Sequence, residues 1–501
     1  MSDSLHEPTT ADLPIEEHDL VVVGAGLSGI NTAHRLRTEL PHRSFTILEA
    51  RDVIGGTWSF FKYPGMRSDS SLRSFGLDWH PWKLPHKIAT AGEICEYLED
   101  ASKADGSFEK IQFRHRVLSS EWSSAEQRWT LVVDANGTKK LFKANFLFSC
   151  MGYYSYERAL ESPVPGIGDF GGTVIHPQWW PENFDYNNKD VVIIGSGATA
   201  ITLLPEMAGK AKSVTMLQRT PSYVVSMKRS SGFETFLAAM LPLSWVHWIG
   251  SCIDVWFEVF ISELCLRYPR LGRFLITMDL PKKLPKKVDA AVHFNPTYGP
   301  FQQRLCLTPD DEFFNALHRD DVEIVTDLID TVTKDGILLK SGRTLSADVI
   351  VTATGLHIQL LNGMHPKVDD KAIDLGQQYA WRGCMIEGVP NAASVFGYVT
   401  TTWTPGANSM AKLAIRVIKQ MEADNASSVV PVLKRTEGMP RFSSADAKSS
   451  YFLKAADRIP KSTGIAPFYG RLNYAVDLWA LSFGSLRDGL VYTKREAKKV
   501  K

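Results

Sequence analysis

The sequence predicts an α/β protein with two parallel-sheet units, and three observations carry that expectation. Two short β-branched runs, 19–23 and 190–194, each feed a glycine-rich turn: Gly24-Ala25-Gly26-Leu27-Ser28-Gly29 in one case and Gly195-Ser196-Gly197-Ala198-Thr199-Ala200 in the other. Each turn opens a stretch with helical character, Ile30 to Leu40 after the first, and the strand before and helix after are what give G-x-G-x-x-G its meaning as a dinucleotide-binding (Rossmann-like) unit. Between the two lies an aromatic connector, Phe170 to Pro181, placed where a rigid scaffold can hold loop side chains at the edge of a site.

Length and composition allow this plan. A chain of 501 residues with 44% hydrophobic content has room for about three domains with cores of their own. Basic residues number 56 and acidic residues 55, so a net charge of +1 gives no electrostatic case for a nucleic-acid partner. The six cysteines, at 95, 150, 252, 265, 306 and 384, show neither C-x-x-C nor any metal-ligand spacing. Free thiols in a reducing compartment and no metal site are expected, and the lack of a C-x-x-x-x-C pair excludes a disulfide reductase. The first nineteen residues contain no apolar run, so no secretory signal is expected and the protein is placed in the cytoplasm.

The first turn suits a pyrophosphate. Gly24, Gly26 and Gly29 permit a tight turn, close approach of the ligand to the backbone and packing of helix on strand, while the helix start offers free N–H groups. The next strand, 45–48, ends in Glu49, twenty residues beyond Gly29. A carboxylate there accepts from a free ribose hydroxyl and repels a 2′-phosphate, so FAD or NAD fits and NADP does not. The second turn uses Gly195, Ser196, Gly197, Thr199 and Ala200, and the strand after it, 214–217, runs into Gln218-Arg219-Thr220 with no acid. Arg219 can stack on adenine and pair with a 2′-phosphate, which favours NADPH. The two sites are therefore expected to hold FAD and NADPH in that order.

The connector contains Phe170, Gly172, His176, Trp180 and Pro181 in the spacing F-x-G-x-x-x-H-x-x-x-W-P, and it resembles the fingerprint of the Baeyer-Villiger monooxygenases at every defined position. The run from Gly56, Thr57 and Trp58 through Tyr63-Pro64-Gly65 to Asp69 resembles the family's second signature. Its wording through Asp78 to Trp82 is similar to the subgroup of the ethionamide-activating monooxygenase. The stretch His293 to Val322 resembles the segment in which a catalytic arginine precedes an acidic, aromatic helix, and the match puts that arginine at Arg304.

The resemblance implies an NADPH- and O₂-dependent FAD monooxygenase that inserts oxygen next to the carbonyl of an apolar ketone, through a flavin C4a-peroxide. Arg304 would face that anion and Asp69 would hold the guanidinium; by composition alone, an Asp in a serine-rich loop is an ordinary surface residue. Thr57 and Trp58 would lie by the flavin, the backbone of Val117 by the adenine, and Gly152 and Gly355 where strands return to the flavin. His176 would couple the two nucleotide units. The alternative is a flavin-containing N- or S-monooxygenase acting through the hydroperoxide. Two departures stand out: Gln303 replaces the lysine that often precedes the arginine, and Thr404-Pro405-Gly406-Ala407 follows Trp403 where the subgroup continues helically with a lysine.

The resulting domain plan is 1–165 for the first part of the FAD domain, 166–184 for the linker, 185–345 for the NADPH domain with a helical insertion at 228–290, and 346–501 for the rest of the FAD domain. Within the insertion, residues 233–266 are unusually apolar. From Thr235 to Ile253 the only titratable side chains are those of His247 and Cys252. Pro242, Gly250, Asp254 and Glu258 argue against a crossing. Three readings are open: two helices folded against the NADPH domain beside a substrate entrance, a contact with a membrane surface, and a spanning helix.

Overall fold

The computed structural model describes residues 13–230, 232–399, 401–434, 439–444, 450–470 and 474–494. Most of the polar N-terminal run and the basic tail beyond Lys494 fall outside that set.

The first sheet has nine strands and is built around Ile15–Val23. This strand is paired in parallel with Phe45–Leu48 on one side and Thr138–Ser149 on the other, so Leu20 sits opposite both Phe45 and Phe146. Covered on both faces, Leu20 to Val23 are all buried, as a continuous β-branched run in a parallel sheet should be. His115–Ser123, Arg128–Ala135 and Thr138–Ser149 form an antiparallel meander. The turn joining its last two strands carries Asn136 and Gly137 at φ +54 and +88, which is the hairpin expected from Asn-Gly between alternating runs. Ala392–Ser394 returns late in the chain to pair with Thr138–Ser149, so this unit is assembled from both ends of the sequence.

Helices Leu27–Glu39 and Trp403–Ala423 pack together against this sheet. The second of them starts at Trp403 despite Pro405, because a proline in a first turn removes an N–H that has no acceptor there. The departure after Trp403 therefore leaves the helix intact.

The second sheet is parallel and five-stranded, in the order Val322–Thr326, Ser213–Gln218, Asp190–Ile194, Val349–Thr352, Thr173–Ile175. Its membership moves the expected boundaries. Thr173–Ile175 falls in the stretch assigned to the linker and Val349–Thr352 in the stretch assigned to the first domain, yet both complete the second sheet. The physical reason is that Asp190–Ile194 would otherwise be an open edge of buried, unpaired N–H and C=O groups.

The insertion differs from expectation in part. Its main helix, Leu243–Arg267, runs 25 residues and packs on the short helix Leu72–Phe75 of the first unit, while the next helix, Pro269–Thr277, reaches the second unit, where Arg273 donates to Asn295 Oδ1 and to the Pro296 and Tyr298 carbonyls. Its polar side chains make the contacts: the Trp82 amide donates to His247 Nδ1 at 3.3 Å, and the Thr402 amide donates to Glu258 Oε1 at 3.0 Å. These hydrogen-bond partners, together with the buried Val246, Val255 and Cys265, fix the side on which the helix lies. Among the described residues no helix is long and apolar enough to cross a membrane, which removes the spanning reading.

Candidate functional site: a cavity at the carboxyl ends of two sheets

A cavity of about 470 Å³ opens where the strands of both sheets end. Val23, Leu48 and Cys150 reach it from the first sheet and Thr352 and Ala353 from the second, which is where open α/β sheets bind ligands.

The two glycine turns are built alike. Gly24 has φ +105, and a Cβ there would lie 2.6 Å from the Cys150 carbonyl; Gly195 has φ +141, and a Cβ would lie 2.3 Å from that of Ala353. Each first glycine thus lets a turn press on the end of the neighbouring strand. Gly29 is required for packing, since its Cβ would fall 1.8 Å from the Gly24 carbonyl oxygen. Ala200 in the second turn has its methyl fully buried in the core. Helices Leu27–Glu39 and Ala198–Met207 both begin without a side-chain cap and without an acid in the first turn, leaving their first N–H groups for an anion.

Other residues expected around the first nucleotide meet at the same place. Glu49, 7% exposed, accepts from the Ala25 amide at 2.7 Å and the Arg51 amide at 3.0 Å, which fixes its carboxylate at the cavity edge. Gly56, Thr57, Trp58, Val117, Gly152 and Gly355 line the cavity with it. A dinucleotide fits this cradle: at Gly152 and Gly197 a Cβ would meet nothing within 4 Å and would project into the open space.

On the second side Gly197 and Thr199 line the cavity, whereas Gly195, Ser196 and Ala200 support the turn from behind. Ser196 Oγ donates to the Thr220 carbonyl at 2.9 Å and so ties the turn to the loop after the strand. Arg219 and Thr220 are exposed and stand outside the lining residues.

Arg304 and Asp69 come together from 235 positions apart. The guanidinium donates through Nε to Oδ2 at 2.9 Å and through Nη2 to Oδ1 at 2.5 Å, a bidentate pair inside the cavity. Burial opposes the charge on Arg304, but the Asp69 carboxylate outweighs it and holds its pKa above the ordinary value. The cation is therefore permanent. Gln303, beside it, also lines the cavity.

The connector divides into support and site. Phe170 packs with Val164 and Ile167, Gly172 leaves no room for a Cβ, which would sit 2.3 Å from the Asp348 carbonyl, and Trp180 is buried edge-on to Phe184. Pro181 is exposed. His176 alone of the fingerprint residues lines the cavity; burial lowers its pKa, against a hydrogen bond with the Gly355 backbone, and keeps the ring neutral near pH 7.

Several lining residues had no separate expectation attached. Tyr153 and Tyr154 share a hydroxyl–hydroxyl bond at 2.8 Å, and Tyr153 stacks on Trp403 at 5.4 Å. Burial pushes both phenols far above their usual pKa, so they stay protonated donors. Phe60 stacks on Tyr156 at 3.9 Å, and the Arg51 guanidinium lies 5.6 Å from that Tyr156 ring. Gln178 donates to the Ser155 carbonyl at 2.7 Å and anchors the connector to the tyrosine-rich strand Tyr154–Ala159. The run Gly152-Tyr153-Tyr154-Ser155-Tyr156 was the available signal, three phenols directly after a glycine already assigned to the site.

The flavin-binding monooxygenase-like family matches residues 17–422. Among curated relatives, the FAD-containing monooxygenase EthA of Mycobacterium tuberculosis is 38% identical over 96% of this chain and 99% of its own. The probable FAD-binding monooxygenase AlmA of Acinetobacter baylyi is 37% identical over 97% and 98%. Among solved structures, a steroid monooxygenase bound to NADP superposes with a TM-score of 0.74 at 20% identity, covering 96% of this chain and all of that one. A cyclohexanone monooxygenase bound to ε-caprolactone does so with 0.72 at 20% identity, covering 95% of this chain and all of that one. Two nucleotide turns opening on one cavity, and relatives matched nearly end to end, lead to one conclusion: this chain belongs to the flavin-binding monooxygenase-like family.

Proposed function

We propose that the chain is an FAD-dependent monooxygenase that uses NADPH and O₂ to insert an oxygen atom beside the carbonyl of an apolar ketone, giving an ester or lactone. The observation that carries this reading is the bidentate Arg304–Asp69 pair inside the cavity shared by the two nucleotide turns. In this reading the first sheet, with its late strand Ala392–Ser394, is the FAD unit and the second sheet the NADPH unit. FAD, once reduced by NADPH, supplies the activation of O₂.

The protein's own part is electrostatic and steric. Insertion beside a carbonyl needs a nucleophilic, negatively charged oxygen, and a fixed cation in a site that excludes water favours it over its protonated form. Arg304 provides that cation; Asp69 occupies two of its N–H groups and sets the direction of the rest. Tyr153 and Tyr154 are held protonated, and whichever hydroxyl accepts within their pair keeps its own proton free to donate toward the ketone oxygen. Gly26, Gly56 and Gly152 would admit FAD close to the backbone, Glu49 would accept from its ribose and Val117 would meet its adenine. Gly197, Thr199 and the loop of Arg219 and Thr220 would hold NADPH, and neutral His176 would position the connector between the two.

A ketone panel with the FAD-loaded protein, NADPH and ¹⁸O₂ tests the reading. The expected product carries one labelled oxygen between the carbonyl carbon and its neighbour, as seen by NMR connectivity. Oxygen found only on the nitrogen or sulfur of amine and sulfide substrates would make the protein a heteroatom oxygenase instead.

A further inference from the structure

The long insertion helix Leu243–Arg267 is amphipathic the wrong way round for a soluble surface. Its inward side carries His247, Asp254 and Glu258, which engage Trp82, Lys87 and Thr402 of the first unit. Its outward side carries Trp245, Trp248, Trp256, Phe257 and Phe260, at 58, 61, 48, 64 and 63% exposure. At 3.6 residues per turn these positions share the half of the helix opposite His247, Asp254 and Glu258.

The patch extends onto both neighbours. Leu271 and Phe274 are exposed on Pro269–Thr277, which packs against the long helix. On the other side Trp256 meets Tyr474 edge-on at 6.1 Å, and the helix Tyr474–Phe483 adds exposed Trp479 and Phe483. Isolated exposed apolar residues are ordinary, but a continuous run of rings is not.

We propose that this face docks on an anionic lipid surface, lying in the interface with its rings at headgroup depth. Tryptophan is the residue enriched at that depth, and the charge is complementary. Arg267 and Arg270 stand exposed at the junction of the two insertion helices. Residues 228–290 hold nine Lys or Arg against six Asp or Glu, and two of those acids, Asp254 and Glu258, face inward. Glu258 also ties the docked helix to the Thr402 amide, one residue before the cavity-lining Trp403. Docking would thus hold one edge of the cavity at the lipid.

The experiment is sedimentation of the FAD-loaded full-length protein with vesicles containing phosphatidylglycerol and with vesicles of phosphatidylcholine alone. Binding is expected to the first, to weaken with added salt, and to fall about tenfold or more in Arg267→Glu/Arg270→Glu. A Trp245→Ser/Trp248→Ser/Trp256→Ser variant is expected to lose it while retaining FAD absorbance. Brominated lipids should quench wild-type tryptophan fluorescence and leave that variant's unchanged, a readout on the intact protein. Wild type remaining in the supernatant, or equal binding by all three proteins, would overturn the proposal. So would a dimer in ultracentrifugation that the tryptophan variant dissociates while vesicle binding persists, since the face would then be a subunit interface.

Discussion

At residue scale, the glycines separate folding from binding. Gly24 holds a left-handed φ with a carbonyl 2.6 Å from where its Cβ would be, whereas Gly197 has an extended backbone and empty space at the same point. Gly24→Ala is therefore expected to lower the melting temperature and to purify without flavin, because the strain falls on the core of the first unit. Gly197→Ala is expected to keep its melting temperature and FAD absorbance while the KM for NADPH rises about tenfold, the cost of a methyl group where a phosphate should approach the helix start. Equal effects of the two substitutions would show that the turns do not have these separate tasks. At this scale the sequence was highly legible: Arg304 and Asp69, 235 positions apart, meet as the motif match required. The tyrosines were less so, because a phenol's role depends on burial that no local pattern encodes.

At the scale of elements, the insertion helix shows where sequence patterning misleads. Its composition is apolar enough that either side could have been the buried one, and the polar groups help to decide because each has a partner waiting on the first unit. His247 gives a measurable consequence. Burial, with Arg73 nearby, holds its pKa down to about 4 from the usual 6.5. A neutral, buried imidazole contributes stability that is fully present above pH 6.5 and is lost as the pH falls toward 4, because the unfolded chain takes up the proton first. The loss amounts to roughly 3 kcal/mol, from about 1.4 kcal/mol per pKa unit. Urea unfolding at pH 7 and pH 4 should show wild type losing that much more than His247→Gln over the interval. Identical losses in the two proteins would mean that His247 is not held neutral in the fold.

At the scale of the whole molecule, the two units were legible as units but their seams were not. Turn chemistry is local and stands out in a sequence, whereas membership of a parallel sheet depends on partners brought from far away. Thr173–Ile175 and Val349–Thr352 lie adjacent in the sheet though 176 positions part their pairing residues, as Thr173 and Val349 do. A fragment of residues 185–345 omits both and leaves Asp190–Ile194 with an open edge. It is expected to show no cooperative thermal transition by circular dichroism, while a fragment of residues 162–356 gains one. A cooperative 185–345 fragment would restore the narrower boundary.

The reading as a whole depends on one charge in one place, the guanidinium of Arg304 held by Asp69 in the cavity between the sheets. Stopped-flow comparison of wild type with Arg304→Ala separates its role from nucleotide binding. In the variant, anaerobic reduction of bound FAD by NADPH is expected within a factor of about three of wild type, while ester or lactone formation falls by at least about a hundredfold, the scale of a lost electrostatic contact in a dry site. Ester formation at the wild-type rate in Arg304→Ala would contradict the account.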